Sequence, residues 1–538
     1  MGPPRPRVSR PRGVVMRFRA RKLFSRKAVV AAAAALVTGL GHLGPVPGDA
    51  SGKRVEAAER QAARQPNIIF FLTDDMSSRH LRHMPNTRKL IFGQGASFTG
   101  FHANVPLCCP ARASILTGKY AHNTGVLGNA YPGGFHGFHV GDEASRTFAL
   151  ALQQAGYHTS LMGKYLNGYP FMRSTPEHAV EPTYVPPGWS DWAVPIRRAF
   201  TGRNYDLNLN GEILRMQGPR NYLGDHLHDR AMTTIRRNRD RRGLALFLSF
   251  FGPHNPAPAS PRERRDQELQ RRVATLRAPR TPDFNEADVS DKPAYVRDLP
   301  VMGRQVRDEL DAAFRRQVVS LTSIDRYVGD VVDQLRRSRQ LRNTYLVFTS
   351  DHGYRLGAHR LKRGKNSPYL PDVRVPLGIR GPGIAPGTRV DALAANIDLA
   401  PTFAAMAGLT LPYVHDGESL LPLAQGEVPD AWRRYLYLHR GNVSPYATSP
   451  RGLREPATRM EQATEVRIPY FEGVVSRTHT YVVYETGEEE LYDTVADPHQ
   501  LENLLAPGGP GGAGVRAEMR VALARLAGCV GVEGCRVR

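Results

Sequence analysis

Three stretches of the chain share one pattern, an uninterrupted apolar run that ends in carboxylate or imidazole side chains. They are residues 67–75 ending in Asp74 and Asp75, residues 243–254 ending in His254, and residues 344–352 ending in Asp351 and His352. Such continuous apolar runs are typical of strands buried on both faces, as in a parallel sheet covered by helices. Open sheets of this kind bind ligands at the carboxyl ends of their strands. The pattern predicts an α/β fold with a functional site at that edge.

Two further segments are predicted to belong with this sheet. Apolar side chains at spacings of three and four between Phe314 and Leu335 predict an amphipathic helix that packs on the sheet. Residues 169–221 are rich in proline, glycine and aromatic side chains, and we interpret them as irregular loops on the ligand side. The stretch 256–305 is rich in arginine, proline and aspartate, and its role is not predicted.

The length of 538 residues exceeds that of one typical domain, so two domains are expected. Residues 66–430 contain the three strand-like runs and form the larger domain of this prediction. Residues 431–538 contain strand patterns on both sides of a turn at Gly487, and they predict a small antiparallel sheet with a terminal helix.

The first 50 residues have the organisation of an export leader, with a basic segment, an apolar run and small residues before a cleavage site. The apolar run, residues 28–41, is too short to predict a stable membrane span. Residues 51–65 are polar and are interpreted as a linker. We therefore expect an exported protein, secreted, periplasmic or at the cell surface, while the export route stays open between the general and the twin-arginine pathways.

The formal net charge of +23 is concentrated at the amino terminus, where ten basic residues lie between Arg5 and Lys27 without an acidic residue. The rest of the chain carries about +13. Such an excess could steer a polyanionic substrate towards the protein, or it could be an ordinary solvated surface, and both interpretations stay open. The sequence has no zinc-finger spacing and no basic heptad region, so a nucleic-acid partner is not expected.

The cysteine content is four, and Cys108 stands in the sequence Cys108-Cys-Pro110-Ala-Arg112, which is followed by Thr117-Gly118. Taken alone, the adjacent cysteines could be small buried apolar residues or a strained vicinal disulfide. The full motif resembles the signature of the sulfatase family, written Cys-x-Pro-x-Arg with Thr-Gly a few residues later. The resemblance selects Cys108, because only this cysteine has proline at +2 and arginine at +4.

The resemblance implies a chemistry for Cys108. In sulfatases this cysteine is oxidised to formylglycine by a formylglycine-generating enzyme. The hydrated aldehyde has two hydroxyl groups on one carbon, of which one attacks the sulfur of the ester and the other expels the sulfate. A serine would be left as a stable sulfate ester, whereas the second hydroxyl of the geminal diol allows the covalent intermediate to release sulfate.

The resemblance also implies a metal site and a fold. The metal ligands that correspond to the family are Asp74, Asp75, Asp351, His352 and the modified Cys108. Oxygen ligands dominate this set, which favours calcium, with magnesium as the alternative. The fold implied is the alkaline-phosphatase-like α/β architecture, a large mixed sheet flanked by helices with a smaller C-terminal antiparallel-sheet domain.

Three more motifs resemble sulfatase positions that contact the sulfate. Gly163-Lys164 and Gly364-Lys365 correspond to the two lysines of the family, and Arg112 joins them in holding sulfate oxygens. His254 corresponds to the residue that contacts the sulfate or protonates the leaving oxygen, a role that Lys365 could also fill. Leu166 stands where many members have histidine, so the base that drives the collapse of the intermediate is not identified.

The substrate implied by the resemblance is a sulfated sugar. The sequence is most similar to N-acetylglucosamine-6-sulfatases, which share Leu107-Cys-Cys-Pro, the Gly-Lys-Tyr-Leu-Asn form of the second motif and a late cysteine pair, here Cys529 and Cys535. We expect that pair to form a local disulfide. The alternatives are a generic arylsulfatase acting on aryl sulfates, a phosphatase or phosphonate monoester hydrolase of the same superfamily, and an inactive secreted glycan-binding protein in which Cys108 stays a thiol.

Overall fold

The three apolar runs are neighbouring strands at the centre of one large sheet. The computed structural model describes residues 65–170, 180–218, 221–239, 243–427, 429, 431–441 and 466–537. In this part of the chain a ten-stranded mixed sheet has the order β13-β2-β12-β9-β1-β8-β4-β5-β6-β7. Its five central strands, from β9 to β5, are mutually parallel. The predicted α/β fold with a large mixed sheet is confirmed.

The strands of this sheet are β1 (Asn67–Asp74), β2 (Ala96–Phe98), β4 (His158–Gly163), β5 (Asp191–Arg197), β6 (Tyr205–Leu209), β7 (Glu212–Met216), β8 (Leu244–Pro253), β9 (Thr344–Ser350), β12 (Leu377–Arg380) and β13 (Thr388–Val390). Short two-stranded pairs are β3 (Phe101–His102) with β14 (Ala394–Ala395), and β10 (Arg355–Leu356) with β11 (Arg363–Gly364).

Strand β1 shows why the sequence pattern was continuous rather than alternating. Ile69 and Phe71 belong to the hydrophobic core on one face of the sheet, while Ile68 and Phe70 belong to the core on the other. Successive side chains of a strand point to opposite faces, so a strand covered on both sides needs apolar residues at every position.

Helices cover both faces of the sheet. They are α1 (Pro85–Leu90), α2 (Cys108–Thr117), α3 (Ala121–Thr124), α4 (Gly134–Val140), α5 (Phe148–Gln154), α6 (Leu223–Arg237), α7 (Pro261–Arg265), α8 (Gln267–Ala274), α9 (Ala294–Arg297), α10 (Arg304–Arg337), α11 (Leu370–Val373), α12 (Leu399–Met406) and α13 (Leu421–Ala424). The predicted amphipathic helix, from Phe314 to Leu335, lies within α10, and its apolar residues Leu321, Val328 and Leu335 lie in the same core as Ile69. That prediction is confirmed.

The interpretation of residues 169–221 as irregular loops is wrong for much of their length, because β5, β6 and β7 lie there. Strand β5 pairs in parallel with β4, and β6 and β7 form a hairpin at the sheet edge. Asn210 and Gly211, both with positive φ, form the two-residue turn of this hairpin. Asn-Gly between two strands is a strong hairpin signal, which the overall proline and glycine content concealed.

The C-terminal region contains the predicted antiparallel sheet. Its strands are β15 (Leu436–Arg440), β16 (Phe471–Val475), β17 (His479–Tyr484) and β18 (Glu489–Asp493), paired in that order, followed by helices α14 (Ala513–Leu526) and α15 (Gly531–Cys535). Cys529 and Cys535 form a disulfide. The domain boundary at residue 430 stays a prediction, as do the leader and most of the linker, which lie outside the described residues.

No helix in the described part of the chain is both long enough and apolar enough to span a bilayer. The segment 256–305, which the sequence left without a role, forms α7 to α9 and packs Leu269 and Val273 against Phe314 of α10.

Candidate active site

The carboxyl ends of four adjacent strands deliver the predicted residues to one place. In sheet order, Lys164 follows β4, His254 follows β8, Asp74 ends β1, and Asp351 follows β9. Gly163 allows β4 to end as close to β8 as it does. Its φ is +116°, and a Cβ atom there would lie 1.8 Å from the carbonyl oxygen of Ser249. The glycine of the Gly-Lys motif is therefore required by the approach of two backbones.

Helix α2 brings the cysteine motif to the same edge. Cys108 is its first residue and is fully buried, and Asn129 Oδ1 accepts a hydrogen bond from the backbone nitrogen of Cys109 over 2.8 Å. Pro110 lies in the first turn, where a missing backbone donor costs little. Arg112 is four residues on, so it shares a helix face with Cys108.

The Cys108 sulfur lies among polar side chains from three other segments. Its Sγ is 2.9 Å from Lys365 Nζ, 3.3 Å from His352 Nε2 and 3.6 Å from Asp74 Oδ1. One ligand atom from each of Asp74, Asp75, Cys108 and His352 lies within 4.8 Å of the others. Four of the five predicted metal ligands are thus close enough to share one ion.

Asp351, the fifth predicted ligand, lies at the border of this group. Its Oδ2 accepts a hydrogen bond from Arg112 Nε over 2.8 Å, and its Oδ1 lies 3.5 Å from His352 Nε2. Asp75 is held next to it by a backbone hydrogen bond to Oδ1 over 3.4 Å. Asp75 has a φ of +68°, a strained conformation for a residue with a side chain, and strain of this kind is found at functional sites.

Arg112 is fixed by three acceptors. Besides Asp351, its Nη1 donates to Ser249 Oγ over 2.7 Å and to the Lys164 carbonyl over 3.1 Å. Its Nη2 is buried, lies 3.8 Å from Asp74 Oδ2, and has no hydrogen-bond partner in the described part of the chain. Buried donors are rarely left without an acceptor, so this atom is suited to bind an anionic ligand.

The two lysines are equally buried. Lys164 Nζ is 2.5 Å from Asp74 Oδ2, and Lys365 Nζ is 2.9 Å from Asp75 Oδ1. Burial raises the pKa of Asp74, but the surrounding cations, Lys164 foremost, outweigh it and hold that pKa well below its usual range. Burial lowers the pKa of Lys164, and the attraction of Asp74 more than offsets this and raises it. Both groups are therefore charged at neutral pH.

His254 lies at the outer side of the site. Its Nε2 is 3.6 Å from Asp75 Oδ2, its Nδ1 is 2.7 Å from the carbonyl oxygen of Asn255, and its ring packs on Phe200 at 4.8 Å between centroids. The carbonyl contact orients the ring so that Nε2 faces the carboxylates, with Nδ1 carrying the proton.

Leu166, where many sulfatases have histidine, is buried in the core below the sheet together with Phe135 and Tyr165. This position therefore supplies no titratable group.

Sequence reasoning missed three residues of the site. Ser249 positions Arg112 and donates to the Lys164 carbonyl over 2.6 Å. Asn129 holds the start of α2, and Phe200 packs between His254 and Lys164, whose Nζ is 5.2 Å from the ring centroid. Ser249 had a signal, since it is the one hydroxyl in the apolar run of β8. Asn129 and Phe200 lie in segments without a motif.

The comparisons with known proteins agree with this geometry. The sequence model of the sulfatase family matches residues 66–409. The chain is 34% identical over 390 residues to the extracellular sulfatase SULF-1 homolog of Drosophila melanogaster, which covers 70% of this chain but only 33% of that protein. It is 33% identical over 397 residues to the N-acetylglucosamine-6-sulfatase of Homo sapiens, covering 72% of this chain and 69% of that protein.

Among solved structures, one described as a complex with its substrate D-glucosamine-2-N,6-O-disulfate superposes with a TM-score of 0.65 at 22% identity, covering 86% of this chain and 96% of that chain. At this identity the likeness supports the fold. The chain has an α/β fold of the alkaline-phosphatase-like type, and the candidate site lies at the carboxyl ends of its central strands. The chain belongs to the sulfatase family, whose members are sulfuric ester hydrolases.

Proposed function

We propose that this protein hydrolyses sulfate esters with Cys108 as the nucleophile after its oxidation to formylglycine. The observation that carries the proposal is the surroundings of the Cys108 sulfur, which is buried and contacts Lys365, His352 and Asp74 at the carboxyl edge of the sheet. A structural cysteine does not need three ionisable neighbours. Formylglycine supplies a geminal diol at this atom, with one hydroxyl for attack and one for release of the sulfate.

The site residues fit a divalent cation. Asp74, Asp75, His352 and the modified Cys108 would hold it, with Asp351 at its border, and the two adjacent carboxylates favour calcium, with magnesium as the alternative. Such an ion supplies charge that stabilises the sulfate oxygens. The donor set does not resemble a structural zinc site, which uses several cysteine or histidine ligands.

The three buried cations act on the sulfate group. Arg112 offers Nη2, which has no hydrogen-bond partner among the residues that the structure describes, while Lys164 and Lys365 provide point charges beside Asp74 and Asp75. Because these groups are fixed before substrate binds, they stabilise developing charge without reorganisation, which is usually the largest contribution to catalysis.

Lys365 and His254 have separate roles in the proposed reaction. Lys365 Nζ contacts the Cys108 sulfur, so it orients the nucleophile. We assign the proton that the leaving oxygen gains to His254 Nε2, which lies 3.6 Å from Asp75 Oδ2. Because Nδ1 donates to the Asn255 carbonyl, this step requires a ring that is protonated on both nitrogens beforehand.

The substrate proposed is the 6-O-sulfate ester of N-acetylglucosamine or of a related sulfated sugar. It is supported by the identity to N-acetylglucosamine-6-sulfatases over more than two thirds of their length. We also propose that this protein is located outside the cytoplasm, which agrees with the leader-like sequence and with the disulfide. The formylglycine-generating enzyme would then be a partner during maturation.

The test compares kcat/KM for the 6-sulfated sugar, p-nitrophenyl sulfate and p-nitrophenyl phosphate, with Cys108→Ala as the inactive control. Preference for the sugar ester supports the proposal. Preference for the aryl sulfate, with no release from a sulfated sugar, would indicate a generic arylsulfatase. Preference for the phosphate would indicate the phosphatase alternative, and an unmodified thiol in inactive protein would favour the glycan-binding one.

A further inference from the structure

The ammonium group of Lys365 is held at a defined place, although the segment that carries it is not regular structure. Its Nζ lies 2.9 Å from Cys108 Sγ and 2.9 Å from Asp75 Oδ1. Lys365 lies between β11 and α11, and its neighbours Gly364 and Asn366 have φ values of +146° and +78°. A lysine side chain is a point charge on a flexible stem, so the place of the ammonium depends on how firmly the backbone beneath it is fixed.

Arg355 fixes that backbone. Its Nη1 donates to the carbonyl oxygen of Lys365 over 2.8 Å and also to Asp372 Oδ2. The same carboxylate oxygen accepts hydrogen bonds from the backbone nitrogen of Ser367 over 3.0 Å and from its hydroxyl over 2.6 Å. Gly364 pairs with Arg355 between β11 and β10. One ion pair therefore holds the chain before, at and after the lysine.

This ion pair is buried and does not touch the reacting atoms. Arg355 and Asp372 are both buried, and in the described part of the chain the side-chain hydrogen bonds of Arg355 go to Lys365 and Asp372. Burial raises the pKa of Asp372, and the attraction of Arg355 opposes that rise. Hydrogen bonds from a charged donor in a buried place are stronger than those between neutral groups at the surface, so this contact is suited to hold a backbone carbonyl.

The segment that follows is fastened independently to the C-terminal region. The hydroxyl of Tyr369 donates to Glu490 Oε1 over 2.8 Å, and the backbone nitrogen of Leu370 donates to Gln500 Oε1 over 2.7 Å. Loss of the Arg355 contact therefore loosens the backbone around Lys365 and leaves the next turn of the chain in place.

We propose that Arg355 is a positioning residue for Lys365. By holding the carbonyl oxygen of Lys365, it keeps the ammonium beside Cys108 and Asp75. The inference rests on the proposed function, in which Lys365 orients the nucleophile and holds sulfate oxygens. A charge that is fixed before the substrate binds stabilises developing charge better than a mobile one, and small displacements of such a group are costly.

The test removes the bond to the Lys365 carbonyl without leaving a buried charge unpaired. The double variant Arg355→Met/Asp372→Asn replaces the ion pair by two neutral side chains, which avoids the large cost of one buried charge without its partner. The matched control is Arg433→Met/Asp398→Asn. It removes a buried ion pair of the same kind outside the site, in which the carboxylate likewise accepts from backbone nitrogens.

We expect kcat on p-nitrophenyl sulfate to fall about tenfold in Arg355→Met/Asp372→Asn, the effect of one net hydrogen bond on the fraction of molecules with the lysine in place. The control should keep the kcat of the parent. In Lys365→Ala enzyme the same double substitution should change kcat by less than about twofold, because no ammonium is left to position. An unchanged kcat, equal falls in the two backgrounds, or the same fall in the control would overturn the inference. So would an equal fall in Asp372→Asn alone, which keeps the bond from Arg355 to the carbonyl.

Equilibrium binding separates this inference from the proposed function. Inorganic sulfate is titrated calorimetrically into Cys108→Ala protein, which lacks the nucleophile. Arg355→Met/Asp372→Asn should weaken sulfate binding about three- to tenfold where Lys365 is present, and should leave it unchanged where Lys365→Ala is also made. That pattern supports the positioning role even if no sulfate ester is hydrolysed, a result that would refute the proposed function alone. An equal loss of affinity in both backgrounds, or no loss in either, refutes the positioning role.

Discussion

Replacing Arg112 by lysine keeps the positive charge of the site but removes the fork that spans Asp351, Ser249 and the Lys164 carbonyl. A lysine ammonium at the position of Nη1 can keep the contacts to Ser249 and the Lys164 carbonyl, but it cannot also reach Asp351 Oδ2, which accepts from Nε, so one hydrogen bond to a buried carboxylate is lost. At about 1–3 kcal/mol for a buried group left unpaired, the free energy of unfolding should fall by roughly 1–3 kcal/mol. Loss of Nη2 removes one fixed donor for the sulfate, which should lower kcat by about 10²–10³-fold.

The assay measures kcat on p-nitrophenyl sulfate and unfolding by denaturant on the same preparation. Arg433→Lys is a matched control, because Arg433 is also buried and lies outside the site. Its guanidinium donates to both carboxylate oxygens of Asp398, over 2.6 and 3.1 Å. The control should lose comparable stability and keep its kcat. A folded Arg112→Lys enzyme with the kcat of the parent would refute the assignment, and an equal loss of kcat in Arg433→Lys would show that the loss reflects damage to the fold.

Three further predictions concern maturation, metal and pH. The tryptic peptide with Cys108 should carry a hydrazide-reactive aldehyde when a formylglycine-generating enzyme is co-expressed, and full activity with an intact thiol would contradict the mechanism. Asp74→Ala and Asp351→Ala should each lose bound metal and activity together. Chelation of the parent should abolish activity, and added calcium should restore it. Full turnover by protein that elemental analysis shows to be metal-free would exclude these residues as metal ligands. Burial lowers the pKa of His80 and of His102 to about 4, below the value in the unfolded chain. The unfolded state therefore binds more protons than the folded state between about pH 6.5 and about pH 4. The free energy of unfolding should fall as the pH drops through this window, by up to roughly 3 kcal/mol for each histidine. Denaturant unfolding of His102→Gln should show a smaller pH slope than the parent, and an unchanged slope would remove that histidine from the explanation.

The sequence predicted the site residues best where a polar side chain stands at the end of a continuous apolar run. Asp74, His254 and Asp351 end strands whose apolar runs are continuous, and parallel pairing then places their side chains at one edge. The resemblance of the cysteine motif added Cys108, and the structure brings it to the same edge on α2.

Tertiary contacts decided what the pattern could not show. The hydrogen bond of Ser249 to Arg112 joins residues 137 apart in the chain, and that of Asp351 to Arg112 joins residues 239 apart. No periodicity encodes such pairs. The hairpin of β6 and β7 was missed for a different reason, because composition averaged over residues 169–221 outweighed the local signal of Asn210-Gly211.

The order of the strands also sets when Cys108 becomes enclosed during synthesis. Strand β1 pairs with β8 and β9, which are made much later, and Cys108 is covered by Lys365, which lies 257 residues further along the chain. At the usual elongation rate, roughly 10–50 s pass between the translation of Cys108 and that of Lys365. During this interval the contact of Lys365 with the Cys108 sulfur cannot form, whereas in the folded chain Cys108 is fully buried. A modifying enzyme that acts on Cys108 therefore competes with folding, and slower elongation or delayed closure of the sheet should increase the fraction of chains that mature.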